Sequence, residues 1–261
     1  MDATLPPLQV GDRERNILRA LVRYRFLSFP QVSALDGGSV QHLSRRIRLM
    51  LLHDLISEPA TQTAPLRLVT LPRILALTAA GAKLIAAEDG VTIDRRNLMT
   101  RNARATAELV AHTLGVVETM IGFAGAARAA GCALLDHHDL LPLFPDETRR
   151  DRTPFALRID VARNDVPHAV YPDRVFALLA SGARYNFTLE HDTGTMPVRR
   201  KSLVGTSSYA KKIYVYWHAW AREEHQRRWR FQRFRVLTVT PSTDRIATIV
   251  ARSRPNIGSA S

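Results

Sequence analysis

The apolar residues of segment 12–51 recur at helical spacing in three short runs, and this pattern constrains the fold more than any other feature. Ser28 and Gln31 form an expected capping box at the start of the second run. Gly37-Gly38 predicts a turn, after which Ser39 is expected to cap a third helix. The apolar stripes consist of Ile17, Leu18, Leu21 and Val22 in the first helix and Leu43, Ile47, Met50 and Leu51 in the third.

Strand signals follow the third helix. Leu55-Ile56 predicts a short strand, residues 66–78 predict a strand pair, and a small helix is expected from Ala80 to Ala87. Three helices followed by a two-stranded wing is the element order of a winged helix-turn-helix, in which the third helix enters the major groove of DNA. We therefore expect a winged-helix DNA-binding domain over residues 1–90 of an α+β protein.

The solvent side of the expected third helix is polar and basic. Arginine and glutamine form bidentate hydrogen bonds with base edges, and further arginines hold phosphates. Arg67 and Arg73 of the wing are expected to contact the DNA backbone. An ordinary solvated helix face and a winged helix used for protein contact are the alternatives. The expected DNA-binding residues of the helix are Gln41, His42, Ser44, Arg45, Arg46 and Arg48.

The net charge of +13, from 37 lysines and arginines against 24 acidic residues, points to a polyanionic partner. The excess is concentrated in residues 195–235, which carry 11 basic and 2 acidic side chains. Double-stranded DNA is the partner we expect. An incidentally basic protein and a membrane-surface binder are the alternatives.

Cys132 is the only cysteine, which excludes an internal disulfide and a cysteine zinc cluster. The first residues do not form a signal-peptide pattern. The apolar stretches near residues 66–87 and 114–135 are interrupted by charged residues or Pro72, unlike a membrane span of about 20 apolar residues. We expect a cytoplasmic protein without membrane contact.

The rest of the chain predicts a second α+β domain at 105–250, preceded by a linker at 91–104 and followed by a disordered tail at 251–261. Its expected elements are a helix at Asn102–Ala130, strands at Cys132–Asp136 and Asp173–Leu179, a hairpin strand at Arg184–His191 after the turn Ser181-Gly182, a helix at Ser207–Arg228 and a strand at Phe234–Thr240. This αβββαβ order resembles the core of the PD-(D/E)xK nucleases and their inactive relatives.

Three acidic residues fall at the ends of the predicted paired strands. Asp173 begins one strand, and Glu190 and Asp192 end the next, so that their carboxylates can converge on one Mg²⁺ ion. The metal would activate a water for attack on a phosphodiester. The nuclease motif has lysine where this chain has Asp192; the alternative is that the three acids form salt bridges. Three downstream lysines can replace that lysine: Lys201, Lys211 and Lys212. Of these, Lys211 is the expected catalytic residue.

Basic residues flank this acidic group. Arg199, Arg200 and Lys201 can hold a DNA backbone near it, or simply neutralise it. Residues 227–235 interleave arginine with aromatic residues, a composition suited to phosphates and stacked bases, although core packing is the role we favour for the aromatics. The His137-His138-Asp139 run is not expected to bind metal, because neighbouring side chains on an extended chain point to opposite faces.

Four motifs stand out in the chain: Ala111-His112-Thr113-Leu114, Pro172-Asp173, Glu190-His191-Asp192, and Lys211 and Lys212 with Tyr216. Through these motifs the chain resembles the replication-relaxation family of bacterial mobile elements over most of residues 10–240. This resemblance implies a winged helix, a nuclease-like second domain and a role in plasmid or integrative-element DNA processing, replication or regulation.

Three hypotheses follow. The favoured one is a non-enzymatic, sequence-specific DNA-binding protein, either a transcriptional regulator or an accessory factor, which needs no cofactor for binding. Palindromic targets would favour a homodimer. The second is a Mg²⁺-dependent endonuclease or nickase that uses Asp173, Glu190 and Asp192. The third is a protein-interaction adaptor with incidental basic charge.

Overall fold

The computed structural model describes residues 6–59, 72–159, 168–199 and 208–253. Within these ranges the protein is a mixed α+β structure with eleven α-helices and three small sheets. The chain divides into two compact units, Met1–Gly122 and Phe123–Ser261.

The first unit is mainly helical. The capping box predicted at Ser28 is confirmed: the Ser28 hydroxyl accepts the Gln31 amide, and the Gln31 side chain accepts the Ser28 amide at 3.1 Å. Its elements are α1 (Asp12–Tyr24), β1 (Phe26–Ser28), α2 (Phe29–Asp36), α3 (Val40–Leu52), β2 (Ile56–Ser57), β3 (Ile74–Leu77), α4 (Ala79–Asp89), α5 (Arg95–Ala103) and α6 (Ala107–Ala129), the last of which continues into the second unit.

The three strands of the first unit form an antiparallel sheet in the order β1-β3-β2. Phe26 pairs with Ala76, and Ile56 pairs with Leu77. The first half of the strand pair expected at 66–78 lies outside the described residues. The sheet and the helices share a core of fully buried side chains that includes Leu18, Leu21, Phe26, Leu43, Ile47, Met50 and Leu75.

The second unit is built on a mixed sheet in the order β4-β7-β8-β9, with a separate two-stranded sheet of β5 and β6. The hairpin turn predicted at Ser181-Gly182 is confirmed, and both residues have positive φ angles (50° and 75°). Its elements are β4 (Ala133–Leu135), α7 (His137–Leu140), a 3-10 turn (Leu141–Leu143), α8 (Asp146–Arg150), β5 (Leu157–Ile159), β6 (His168–Val170), β7 (Arg174–Ala180), β8 (Ala183–His191), α9 (Tyr209–Ala221), α10 (Glu224–Trp229), β9 (Arg235–Val239) and α11 (Thr243–Ser253).

Strand β9 runs parallel to β8, whereas β7 runs antiparallel to both of its neighbours, β4 and β8. A parallel neighbour requires a crossover connection, and α9 lies in that crossover. The main elements follow the order α6, β4, β7, β8, α9 and β9, which agrees with the αβββαβ order expected from the sequence. Strands β5 and β6 are inserted between β4 and β7.

Several elements differ from the expectations. The stretch expected as a linker contains α5, whose first amide groups are capped by Asp94. The helix expected over 207–228 is interrupted at Glu223, which adopts a left-handed conformation (φ 58°). Residues 251–253 belong to α11 rather than to a tail, because Thr243–Ser253 is one continuous helix. Residues 254–261 lie outside the described part of the chain.

The aromatic residues expected to pack in the core do so. Trp229 and Phe231 are each 1% exposed, within a cluster that also contains Phe144 and Val175. The Trp229 indole N–H donates to the Pro154 carbonyl at 3.0 Å, so its polar group is satisfied inside the core.

Among the described residues, α6 is the one helix whose length and composition would allow it to cross a membrane, with a mean hydropathy of 1.4 over its most apolar window. Apolar helices that pack inside soluble proteins meet the same criterion. In α6, 22% of that window is buried, and Val110 near the start of the helix packs with Phe26 and Ala105.

Gly81→Ala should destabilise the protein by about 2–3 kcal/mol, in the range of an overpacked core. Gly81 lies in α4, and a Cβ atom there would be 2.1 Å from the backbone oxygen of Leu55. Denaturant unfolding measures the change. Gly122→Ala is the matched control, because a Cβ at that helical glycine meets nothing within 4 Å; it should stabilise by about 0.5–1 kcal/mol. Equal unfolding midpoints for the two variants would contradict the described packing of α4.

Candidate functional site

Helix α3 has one buried face and one polar, exposed face. Leu43, Ile47 and Met50 are fully buried, which fixes the opposite side of the helix toward solvent. That side presents Gln41, His42, Ser44, Arg45 and Arg48, all exposed. These are five of the six residues that the sequence predicted on this face.

Arg46 is the sixth predicted residue, and its side chain is directed into the protein. Its guanidinium forms an ion pair with Glu14 of α1 and donates to the Gln9 carbonyl at 2.5 Å. Burial would raise the pKa of Glu14, but hydrogen bonds from Arg46 and the Gly11 amide bring that pKa below its usual value. Arg46 therefore holds α3 against α1, and its guanidinium is engaged by Glu14 instead of standing unpaired on the exposed face of α3.

The other basic residues of the first unit differ in their partners. Arg45 and Arg48 form no ion pair with a described acidic residue. Arg73 is paired with Glu58 at 2.7 Å, with almost half of the arginine side chain exposed. Such surface pairs contribute little energy, so a phosphate can compete with Glu58 for Arg73. Arg67 lies outside the described residues.

In the second unit, the hairpin of β7 and β8 brings Asp173 and Glu190 together. Arg174 pairs with Leu189 across the strands, which places the preceding Asp173 beside Glu190. The Asp173 amide donates to the Leu189 carbonyl at 3.0 Å, and the His191 amide donates to Asp173 Oδ2 at 2.7 Å. The two carboxylates are therefore neighbours, as the sequence predicted.

Glu190 is only 1% exposed and is held by helix α9. One carboxylate oxygen forms an ion pair with Lys212, and the other accepts the Tyr216 hydroxyl at 2.6 Å. Burial and the neighbouring Asp173 raise the pKa of Glu190, while Lys212 opposes that rise. The pKa of Lys212 is also raised: burial would lower it, but the carboxylate of Glu190 prevails. Lys212, and not the predicted Lys211, is the lysine that contacts the acidic pair.

Asp192 has a different partner from the other two acids. Arg245 of α11 donates Nε to Asp192 Oδ2 at 2.6 Å and a terminal nitrogen to Oδ1 at 3.1 Å. The Gly194 amide adds a third hydrogen bond at 3.2 Å. Burial alone would raise the pKa of Asp192, but these donors lower it. Asp173 and Glu190 thus form an adjacent pair, whereas Asp192 is neutralised separately by Arg245.

A sequence model of a family described as replication-relaxation matches residues 18–232. The chain belongs to the replication-relaxation family. The matched range includes α3, the β7–β8 hairpin and α9, and it ends before Arg245. No curated protein and no solved structure matches the chain.

Arg245 is the member of the site that sequence reasoning missed in this replication-relaxation protein. It lies beyond the last predicted strand, in residues for which neither a helix nor a strand was predicted. The signal was present in Ile246, Ile249 and Val250, whose spacing is helical and whose segment forms α11. A helix there would have offered a basic partner for Asp192.

The remaining predicted residues of the replication-relaxation protein form no further centre among the described residues. Arg199 is exposed, while Arg200 and Lys201 lie outside the described ranges. The run His137-His138-Asp139 begins α7 and is not an extended segment. The His137 ring stacks on the Phe155 ring, with the ring centroids 3.8 Å apart. Burial lowers the pKa of His137 to about 4. No group of three or more His, Cys, Asp or Glu residues that could hold a metal ion occurs in the described ranges.

Glu190→Gln should destabilise the replication-relaxation protein by about 3–5 kcal/mol, because it leaves the Lys212 ammonium largely buried without its counter-charge. Urea unfolding measures this loss. The double variant Glu190→Gln/Lys212→Met should recover most of the loss, since it removes both charges.

Glu224→Gln is the control for this experiment. Its partner Arg227 is 65% exposed, so the change should stay within about 1 kcal/mol. A Glu190→Gln variant that unfolds like the control would show that the buried pair carries no net stabilisation.

Proposed function

We propose that the protein is a sequence-specific DNA-binding protein of a plasmid or integrative element, acting as a transcriptional regulator or as an accessory factor in replication or mobilisation. The observation that carries the proposal is the exposed face of α3. It presents Gln41, Arg45 and Arg48, the side-chain types that form bidentate hydrogen bonds with base edges.

The arrangement around α3 supports a winged helix-turn-helix reading. Helix α2 ends at Gly37, which adopts the left-handed conformation (φ 67°) that permits a sharp turn into the next helix. The antiparallel strands β2 and β3 follow α3 in the position of a wing, and Arg73 directly precedes β3. In such modules the helix after the turn lies in the major groove while the wing contacts phosphates.

Family membership and charge support the same reading. The family description suggests a role in plasmid or element replication or mobilisation. A net charge of +13 favours association with a phosphate backbone through counterion release. Neither observation specifies regulator or accessory factor, and the proposal includes both.

For the second unit we propose a nuclease-like fold in which the acidic group has a structural role. The αβββαβ order and the Asp173–Glu190 pair support the fold. A structural role is supported by the partners of these carboxylates, because each oxygen of Glu190 is contacted by Lys212 or Tyr216, and both oxygens of Asp192 are contacted by Arg245. A Mg²⁺ ion would compete with these partners for the same carboxylate oxygens.

Arg45→Ala and Arg48→Ala should each weaken binding to the protein's target duplex by about 1–3 kcal/mol if the side chain contacts a base. The target is first selected from random duplexes, and affinities are then compared in EDTA at fixed salt. Arg95→Ala is the matched control, because Arg95 is exposed and basic but lies on α5. Equal affinities for all three variants and the wild type would remove α3 from the interface.

A Mg²⁺-dependent nickase is the second candidate function. One observation favours it: Asp173 lies beside Glu190 across the hairpin and Lys212 forms an ion pair with Glu190, and these are the residue types that the nuclease motif uses. The lysine comes from α9 instead of β8, which is the migrated arrangement that the sequence left open.

Supercoiled plasmid incubated with the protein and Mg²⁺ or Mn²⁺ should stay intact, because the carboxylate oxygens are already engaged. Gel electrophoresis measures the nicked fraction. Asp173→Ala and Asp146→Ala are the matched pair, since Asp146 is an exposed acid outside the group. Nicking by the wild type and by Asp146→Ala, lost in Asp173→Ala, would establish the nickase and overturn the structural reading.

A further inference from the structure

A basic groove of about 590 Å³ lies on the second unit, at the opposite end of β8 from Glu190. It is formed by the start of β8, the end of α9 and the segment that joins α10 to β9. Among the described residues that line it there is no acidic side chain. Four arginines line it, all of them exposed: Arg184, Arg230, Arg233 and Arg235.

Side-chain contacts hold the backbone around these arginines. The Arg184 guanidinium lies over the Phe231 ring, 5.4 Å from its centroid, and donates to the Arg230 carbonyl at 3.4 Å. Asn186, which is 7% exposed, donates its side-chain amide to the Arg233 carbonyl at 3.0 Å. These contacts hold the backbone that carries Arg230 and Arg233, and the side chains of both arginines are exposed.

Exposed aromatic rings accompany the arginines. Trp220 is 54% exposed and Tyr185 is 42% exposed, and both line the groove. Trp217, one turn earlier on α9, is 59% exposed. Other aromatic residues of the same region, such as Trp229, are buried in the core. Trp220 and Tyr185 are therefore exposed rings that line the basic groove, whereas Tyr171, which is 57% exposed, does not line it.

We infer that this groove binds single-stranded nucleic acid. Arginine guanidinium groups pair with the phosphates, and the exposed faces of Trp220 and Tyr185 stack on unpaired bases. A duplex does not satisfy the aromatic half of the site, because its bases are stacked on one another and present only their edges. The groove is a second site on a different unit from α3, and it does not depend on the duplex-binding proposal.

The site fits DNA whose strands have been separated. Guanidinium and aromatic groups recognise phosphate and base faces without reading the sugar, so single-stranded DNA and RNA share the chemistry. Labelled oligo(dT) and oligo(rU) of about 16 nucleotides are the two probes. Stronger binding of one probe identifies the source of the ligand, and comparable binding shows that the groove accepts both.

The test uses fluorescence anisotropy of these probes with the full chain. Trp220→Ala should weaken oligonucleotide binding by about 5- to 100-fold, the effect of removing one stacking ring. Arg233→Ala keeps the backbone carbonyl that Asn186 uses. It should reduce the slope of log affinity against log salt by about 0.7, the contribution of one phosphate contact.

Arg227→Ala is the matched control, because Arg227 belongs to the same arginine-rich segment but pairs with Glu224 outside the groove. It should change affinity by less than about twofold. Circular dichroism checks that all variants are folded. Arg45→Ala should weaken duplex binding and leave oligo(dT) binding unchanged, which separates failure of this inference from failure of the duplex proposal.

Three results would overturn the inference. One is unchanged oligonucleotide affinity in both Trp220→Ala and Arg233→Ala. Another is an equal loss of affinity for duplex and for single strand in these variants, which would make the groove a duplex contact. The third is competition by polyglutamate as effective as competition by unlabelled oligo(dT), which would make it a general polyanion site.

Discussion

The buried carboxylate of Glu190 is the constraint on which the second unit depends. Moving an ionised carboxylate out of water costs several kcal/mol unless a partner compensates it. Helix α9 supplies that partner because Lys212 and Tyr216, one turn apart, reach the two oxygens of Glu190. The same helix forms the crossover that makes β9 parallel to β8. Helix α9 therefore both neutralises the charge of Glu190 and connects β8 to its parallel neighbour β9.

Some arginines of this protein pair with buried acidic residues, and others are exposed to solvent. The net charge alone does not distinguish these two groups. Arg46 and Arg245 satisfy buried acids and act as internal fasteners. Arg45 and Arg48 on α3, like the four arginines of the groove, are exposed side chains available to an external anion. Each arginine of either group contributes one positive charge to the net charge of +13. Only the second group enters the two binding proposals.

Local patterns allowed much of the fold to be predicted from the sequence. The capping box at Ser28, the apolar stripe of α3 and the Ser181-Gly182 hairpin each depend on residues close together in the chain, and each is confirmed. Pairings across long sequence separations were not predictable: Arg46 with Glu14 and Arg245 with Asp192 follow from tertiary packing. The adjacency of Asp173 and Glu190 follows from the hairpin pattern, whereas the ion pairs of Arg46 and Arg245 do not follow from any local pattern.

The contact between Arg46 and Glu14 also limits how α3 can be redesigned. Its exposed positions, such as Gln41, Arg45 and Arg48, can be exchanged without disturbing the core. Position 46 cannot be exchanged in isolation, because its side chain neutralises a carboxylate that is 2% exposed. A library that randomises α3 to change binding preference should keep position 46 constant or vary it together with position 14. Otherwise, misfolded clones will be mistaken for clones that have lost recognition.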